Sequence, residues 1–286
     1  MRTAQSSAVG IIGAGRVGTA LATLWHEAGL KVVAISSLHA ERSETLAAVL
    51  PGARAVPTDE MAALCDVVVI CVPDDVIPVL VSDLTQQDWT GCIVAHVSGA
   101  VPVSVLDPVR LCGAMIGGIH PALAFTEVDA ARREVPGATF ALEAAESYAL
   151  DILNHLVKVL RGRVILLQPE TRPIYHAALV ILSNYTVTLY AVAARLLNEV
   201  HAEKTDAHQV LLSLLHSTVA NLDQVGIPDA LTGPLVRGDV QTIHAHIQAL
   251  AFDPDLQELY RNLGRHTLPL VQARGGDVDV LKEHLK

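Results

Sequence analysis

The feature that most constrains the fold is a glycine-rich turn between two apolar segments near the start of the chain. The segment AVGIIGAGRVG, residues 8–18, places three glycines with GxGxxG spacing after a short apolar run. Residues 16–28 then have helical periodicity, and a second apolar run follows at 31–35. A strand, a glycine turn, a helix and a second strand are typical of a dinucleotide-binding unit, in which pyrophosphate lies at the helix N-terminus. The cofactor contacts predicted in this turn are Gly13, Gly15, Arg16, Val17 and Gly18.

The alternation of apolar strand patterns and helical patterns continues to about residue 168 and then stops. It predicts an α/β fold in which residues 1–168 form a doubly wound parallel sheet. The rest of the chain, 169–286, predicts a smaller all-helical domain, with helices over 171–200, 204–224, 240–251 and 256–273.

Residues 173–194 contain no charged side chain and are long enough to cross a bilayer. This stretch also contains His176, Ser183 and Asn184, whose polar groups are costly in lipid. We therefore expect a helix buried in protein, with a membrane span as the alternative.

Composition and charge narrow the function classes. The 286 residues are 51% hydrophobic and 17% charged, and the formal net charge is -10 with no basic cluster. Nucleic acid and an anionic membrane are therefore not expected partners. The four cysteines show no CxxC spacing, so we expect buried free thiols in a reducing cytoplasm and no metal site.

The end of the second strand indicates which dinucleotide binds. NAD enzymes usually have an acidic residue here that binds the ribose 2′-hydroxyl, whereas this chain has Ser36 and Ser37, followed by Arg42. Two hydroxyls and a guanidinium suit a 2′-phosphate, so the sequence favours NADP. Glu41 is assigned to the first turn of the next helix, and loop capping is the alternative role of the serines.

Polar residues follow three later strands, at the edge where ligands bind in this architecture. Val72 and Pro73 lie after one strand, and His96 and Ser98 after the next. His120 ends the strand after that. We predict that Val72, Pro73 and His96 contact the cofactor and that Ser98 and His120 serve catalysis. Structural roles remain open for both histidines.

The long apolar helix carries one polar stripe. At about 100° per residue, Arg172, His176, Ser183 and Tyr190 share one side, with Asn184 beside them. We predict that this stripe faces a closed site, and a hydrogen-bonded seam between helices is the alternative.

A second polar segment, ALTGPLVRGD, lies between later helices. It offers Thr232 and Arg237 to a substrate carboxylate, although Arg237 can also pair with Asp239.

Seven segments together resemble a known group of proteins. GIIGAGRVGTAL, VPDDVI, HVSGA, GGIHPALAF, RPIYHAALVILSNY, ALTGPLVRGD and LYRNLGRHTL occur in this order from residue 10 to about 268. They resemble oxidoreductases in which a Rossmann-like domain is fused to a helical domain similar to those of 6-phosphogluconate dehydrogenase, pyrroline-5-carboxylate reductase and ketopantoate reductase. The resemblance implies NADPH-dependent reduction of a small carboxylate-bearing substrate and dimerisation through the helical domain.

One departure from the wider superfamily affects the mechanism. Hydroxyacid dehydrogenases and ketopantoate reductases use a lysine on the long helix, whereas this chain has none between Lys158 and Lys204. His176 is the predicted proton donor because imidazole titrates near neutrality, with His120 as its rival and Ser98 and Asn184 assisting. Ser183, Thr232 and Arg237 are the predicted substrate contacts.

These patterns predict a cytoplasmic, homodimeric NADP-dependent reductase. The first candidate substrate is a branched 2-oxo acid such as ketopantoate, and a cyclic imine of the pyrroline carboxylate type is the alternative. A nucleotide-responsive interaction protein without turnover is the alternative from another class.

Overall fold

A computed structural model describes residues 7–200 and 204–286. The described residues form one eight-stranded sheet. Continuous apolar runs such as Val67–Ile70 suit its strands, because a strand that is covered on both faces buries every side chain. The strands are β1 (Ala8–Ile12), β2 (Lys31–Ser36), β3 (Arg54–Ala55), β4 (Val67–Ile70), β5 (Ile93–His96), β6 (Met115–Pro121), β7 (Thr139–Ala144) and β8 (Arg163–Leu166). Their order is β3-β2-β1-β4-β5-β6-β7-β8, so the chain reverses its direction of travel between β3 and β4.

The α/β class and the doubly wound, mostly parallel sheet are confirmed, and one pair of strands departs from the parallel pattern. β6 and β7 are antiparallel, with Gly117 opposite Ala144 and Pro121 opposite Phe140, whereas the other neighbouring strands are parallel. A buried strand has the same apolar pattern in either direction, so the sequence did not reveal this reversal.

Seven α-helices lie between these strands in the described part of the chain. They are α1 (Arg16–Glu27), α2 (Ala40–Ala48), α3 (Met61–Leu64), α4 (Ile77–Leu84), α5 (Asp107–Leu111), α6 (Val128–Glu134) and α7 (Ser147–Lys158). A buried tryptophan belongs to the apolar cluster on each side of the sheet. Trp25 donates a hydrogen bond to the carbonyl oxygen of Leu156, and Trp89 donates one to that of Leu84, both at 2.8 Å.

The four cysteines are free thiols, and Cys65, Cys71 and Cys92 are buried as expected. Burial raises the pKa of Cys65 and Cys71 to about 12, so these thiols stay protonated and behave as small apolar groups.

Helices alone follow β8 in the described residues. They are α8 (Arg172–Leu182), α9 (Asn184–Glu199), α10 (Lys204–Val225), α11 (Pro234–Arg237), α12 (Val240–Ala249), α13 (Pro254–Ala273) and α14 (Asp279–His284). The chain forms two compact units that divide between Thr186 and Val187, whereas the domain boundary predicted at 168–169 lies just after β8. The second unit has a small core that includes Ile243, Val271 and Leu285.

The single chain differs from the prediction of one buried helix over 173–194 in two respects. The helix is interrupted at Ser183, where the Thr186 hydroxyl donates back to the carbonyl oxygen of Leu182, and such bonds bend helices. Arg172 is the buried residue of α8, and α9 has none in the described structure. Pro169–Glu199 is the stretch of described residues that is long and apolar enough to cross a bilayer.

Candidate functional site

The three glycines after β1 have different roles. At Gly18 a Cβ atom would lie 1.9 Å from the carbonyl oxygen of Gly13, so α1 can pack on this turn only without a side chain there. Gly13 has a φ of +110°, and its Cβ would lie 2.5 Å from the carbonyl oxygen of Cys71. The Cβ position of Gly15 meets no described atom within 4 Å. Two glycines therefore shape the turn, and Gly15 leaves backbone open to a ligand.

The N-terminus of α1 suits an anion. Gly15 is its N-cap residue and offers no side chain to the first amide groups of the helix. Arg16 and Val17 occupy the first turn, and the Arg16 side chain is exposed. Open amide groups, the helix dipole and one guanidinium all favour the pyrophosphate of a dinucleotide.

A cleft of about 1040 Å³ begins at this turn, which is enough volume for a large cofactor. Its lining includes several of the residues that the sequence singled out, namely Gly15, Arg16, Val17, Arg42, Val72, Pro73, Ser98, His120 and His176.

The side of the cleft at α2 differs in part from the prediction. Arg42 lines the cleft beside Glu41, so an acid and a base stand together there. The hydroxyl of Ser36 is buried and lies 2.7 Å from that of Thr58, so it is turned away from a ligand. Ser37 is half-buried and is not among the described residues that line the cleft.

His96 supports the loop after β5 and does not face the cleft. Its ring is fully buried, and its Nδ1 accepts a hydrogen bond of 3.2 Å from the Ser98 amide. Burial, followed by the charge of Arg172, lowers the pKa of His96 to about 4. We therefore correct the prediction that His96 contacts the cofactor. The Ser98 hydroxyl accepts from the amides of Ala100 and Val101, so it caps the same loop.

His120 and His176 lie together at the inner end of the cleft. Their ring centroids are 6.5 Å apart, and both rings lie close to Gly99. A Cβ atom on Gly99 would lie 2.8 Å from Nε2 of His120 and 2.9 Å from Cδ2 of His176. The glycine therefore lets two imidazole rings approach one point of backbone.

A tyrosine holds the other edge of the His120 ring. The Tyr175 hydroxyl lies 2.8 Å from Nδ1 of His120, and the two rings meet edge to face. Burial, then His176 and Arg172, lowers the pKa of His120 to about 4. Burial also raises the pKa of Tyr175 to about 12. Both groups are therefore neutral near pH 7.

A smaller pocket of about 330 Å³ adjoins the same histidines. His120 and His176 line it together with Ser183 and Asn184, and its other walls are apolar residues of the segment after β6 and of α8. The two histidines thus line both cavities, while Ser183 and Asn184 are confined to the smaller one.

Comparison with known families divides the chain into two matched parts. Residues 1–121 match the family described as a Rossmann-like domain. Residues 138–267 match the family described as a domain of unknown function, DUF2520. The chain joins a Rossmann-like domain to a DUF2520 domain. None of the curated proteins matches it in sequence.

Solved structures share this fold along nearly the whole chain. A Bacteroides fragilis protein, provisionally named as an NADP oxidoreductase, is 24% identical with a TM-score of 0.70, and the alignment covers 93% of this chain and 99% of that one. A Thermotoga maritima protein is 20% identical with a TM-score of 0.77, over 93% and 99%. The pyrroline carboxylate reductase of Plasmodium falciparum, solved with NADP bound, is 13% identical with a TM-score of 0.60, over 99% of each chain.

The sequence pattern missed the ion pair that fixes the start of α8. Arg172, in the DUF2520 domain, is 1% exposed, and its Nε donates to Glu143 Oε2 at 2.8 Å. Its Nη1 donates to the carbonyl oxygen of Ser98 at 2.9 Å. Arg172 therefore ties α8 to β7 and to the loop after β5. A lone arginine at the start of an apolar helix was the available signal.

Tyr175 was also missed, because the predicted polar stripe passed through His176 instead. In the structure the stripe divides: Arg172 is buried, while His176 and Ser183 reach the smaller pocket. Tyr190 bonds to His208 within the second unit.

Two predicted substrate contacts lie in the second unit of the chain. Thr232 precedes α11, and Arg237 is the last residue of that helix. Asp239 caps α12 by accepting from the Thr242 amide at 3.0 Å. The hydrogen bonds from the Thr242 hydroxyl and amide lower the pKa of Asp239, and the charge of Arg237 contributes less. A role for Thr232 or Arg237 in substrate binding stays a prediction.

Proposed function

We propose that the chain is an NADP-dependent reductase of a small substrate with a C=N bond. The observation that carries this proposal is the position of His120 and His176, which line both the large cleft and the small pocket. A cofactor in the cleft and a substrate in the pocket would therefore meet at two imidazole groups.

The cleft has the chemistry that a dinucleotide needs. Gly15 leaves the backbone open, the first turn of α1 offers amide groups, and Arg16 adds positive charge. Arg42 is the side chain that supports a 2′-phosphate and hence NADP, although Glu41 beside it opposes one. When bound, NADPH would supply a hydride to the substrate carbon.

The neutral state of His120 and the missing lysine suit reduction of an imine better than reduction of a ketone. Burial keeps His120 neutral near pH 7, so its imidazolium form is not available there as a general acid. Ketone reduction needs an acid at the oxygen, whereas an imine nitrogen is basic enough to arrive already protonated. No lysine lies between Lys158 and Lys204 to serve as that acid. The likeness to a pyrroline carboxylate reductase agrees with this choice, and ketopantoate gains no support from the comparisons.

NADPH oxidation against a substrate panel tests the proposal. The panel contains cyclic imines with and without a carboxylate, and ketopantoate with other 2-oxo acids. We expect the nicotinamide absorbance to fall with the imines and to stay constant with the oxo acids. Turnover of oxo acids alone would contradict the imine assignment. Stoichiometric NADPH binding without any oxidation would instead favour a nucleotide-responsive interaction protein.

We further propose a soluble, cytoplasmic homodimer. Apolar side chains on the described helices are strongly exposed in the single chain, among them Ile174 at 75%, Leu182 at 71% and Val187 at 69%. Monomeric soluble proteins rarely leave large contiguous apolar areas open, so these helices need cover. A second copy of the chain supplies that cover without a membrane, and such interfaces are commonly two-fold symmetric.

A further inference from the structure

The hydrogen bond between Tyr175 and His120 fixes more than the position of a ring. Tyr175 is the fourth residue of α8, and His120 is the sixth residue of β6. Both side chains are half-buried, and the hydroxyl lies 2.8 Å from Nδ1. A neutral imidazole carries its proton on one nitrogen only, so the partner of Nδ1 decides what Nε2 presents.

The opposite edge of the His120 ring faces the site. Nε2 and Cε1 lie beside Gly99, where a Cβ would be 2.8 and 2.9 Å away. Gly99 and His120 both line the large cleft. Tyr175 is absent from the described residues that line the large cleft and the small pocket. It therefore acts on a bound molecule only through His120.

The direction of this hydrogen bond follows from the protonation states. Burial keeps the proton on Tyr175, whose pKa is raised to about 12, and keeps His120 neutral. Nδ1 of His120 is the partner that the structure gives to the tyrosine hydroxyl. If Nδ1 carried the proton, two donors would face each other or the hydroxyl proton would lose its acceptor. The arrangement that satisfies both groups has the tyrosine donating to a bare Nδ1.

We propose that Tyr175 is a positioning residue that holds His120 in the tautomer whose Nε2–H points to the site. His120 then offers an uncharged hydrogen-bond donor to an acceptor atom of the substrate, and it transfers no proton itself. A proton-donor role for His176 stays a prediction. The catalytic part of this assignment rests on the proposed reductase function, whereas the tautomer does not.

The test removes the hydroxyl alone, in Tyr175→Phe. Long-range proton–nitrogen NMR of histidine-labelled protein reports which ring nitrogen carries the proton, and His120→Gln identifies the signals of His120. We expect the Nε2–H tautomer in the wild type and a mixture of both tautomers in Tyr175→Phe. Tyr185→Phe is the matched control, because Tyr185 is an exposed tyrosine near the end of α8. It should leave the tautomer unchanged.

Kinetics separate positioning from folding. With an imine that is turned over, Tyr175→Phe should lower kcat/KM by about threefold to tenfold, the loss expected for one neutral hydrogen bond, with unchanged NADPH affinity. An Nδ1–H tautomer in the wild type overturns the proposal, even if the variant does not fold. A variant with unchanged tautomer and unchanged kcat/KM overturns it as well. If no substrate is reduced, the reductase function fails, while the NMR result still decides the tautomer.

Discussion

Two apolar regions of the chain, the central strands and helix α9, have similar side chains in opposite environments. Every residue of β4 and β5 is buried, whereas α9 has no buried residue in the described structure. The sheet obtains its cover from helices of the same chain on both faces. The difference teaches that an apolar pattern predicts that a segment will be covered, but it does not predict which molecule covers it.

The largest effect is expected where the sheet is packed most tightly. Gly18→Ala should abolish folding, because the new methyl group would meet the carbonyl oxygen of Gly13, a backbone atom that cannot turn aside. Circular dichroism and soluble yield measure this loss. Gly15→Ala is the matched control, since its φ of -85° suits alanine and its Cβ position is open. It should fold and lose only nucleotide affinity. A folded, cofactor-binding Gly18→Ala protein would contradict the packing described for α1.

On the exposed apolar helices, we expect a charged substitution to affect dimerisation. Val187 of α9 is 69% exposed, and Val187→Glu should place a charge in the proposed dimer interface. Light scattering should then report the 30.4 kDa chain mass, whereas the wild type should show twice that value. Leu111→Glu is the control, because Leu111 is an equally apolar, 86% exposed residue of the sheet unit. A monomeric wild type, or its recovery in a salt-washed membrane pellet, would rule out the soluble dimer.

Two ion pairs of the chain differ in burial in the same way as the central strands and α9 do. Arg172 and Glu143 are almost fully buried, whereas the side chains of Arg195 and Asp253 are 54% and 25% exposed. Arg172→Met should lower the free energy of unfolding by about 3–5 kcal/mol, because it leaves a buried carboxylate without its partner. Arg195→Met should change it little, since water screens an exposed pair. Urea denaturation measures both, and equal losses would show that burial does not separate the two pairs.

The smallest expected effect is a pH dependence of stability, which arises from two histidines in the first unit of the chain. The pKa of His96 and of His120 is about 4 in the folded chain, below the usual 6.5 of an unfolded one. The unfolded state therefore binds more protons as the pH falls below about 6.5, and stability is lost from there towards pH 4. Each histidine should contribute about 1 kcal/mol between pH 7.5 and 5.5.

His96→Asn tests the share of one group. The Asn oxygen can accept from the Ser98 amide in place of Nδ1, and it does not titrate. The pH dependence of the urea midpoint should become shallower in this variant. An unchanged slope would mean that His96 is not the group that titrates.

Local pattern was enough to predict most of the sheet. The runs that became β1 and β4 are apolar throughout, and the glycine spacing fixed the turn before α1. The reversed direction of β7 has no local signature. Nor does the turn of Ser36 towards Thr58, which depends on a contact 22 residues away.

The candidate site was predicted by residue type more than by orientation. His120 and His176 were found because polar residues are unusual in apolar surroundings. His96 was selected for the same reason, but its ring is buried, because a position at the end of a strand does not predict the direction in which the ring points. Tyr175 depends on the rotation of α8 about its axis, which Arg172 sets through Glu143, a residue 29 positions earlier.

Gly99 makes the proposed nucleotide binding and the proposed reduction separable by one methyl group. Its Cβ position lies nearest to the tips of two rings, whereas that of Gly18 lies nearest to backbone, so a side chain on Gly99 would first push His120 and His176 apart. The turn before α1 and the cleft wall at α2 would be untouched. A single substitution at Gly99 could thus abolish turnover and keep nucleotide binding in a descendant of this protein. The same substitution could be used in the laboratory to trap a complex that does not react.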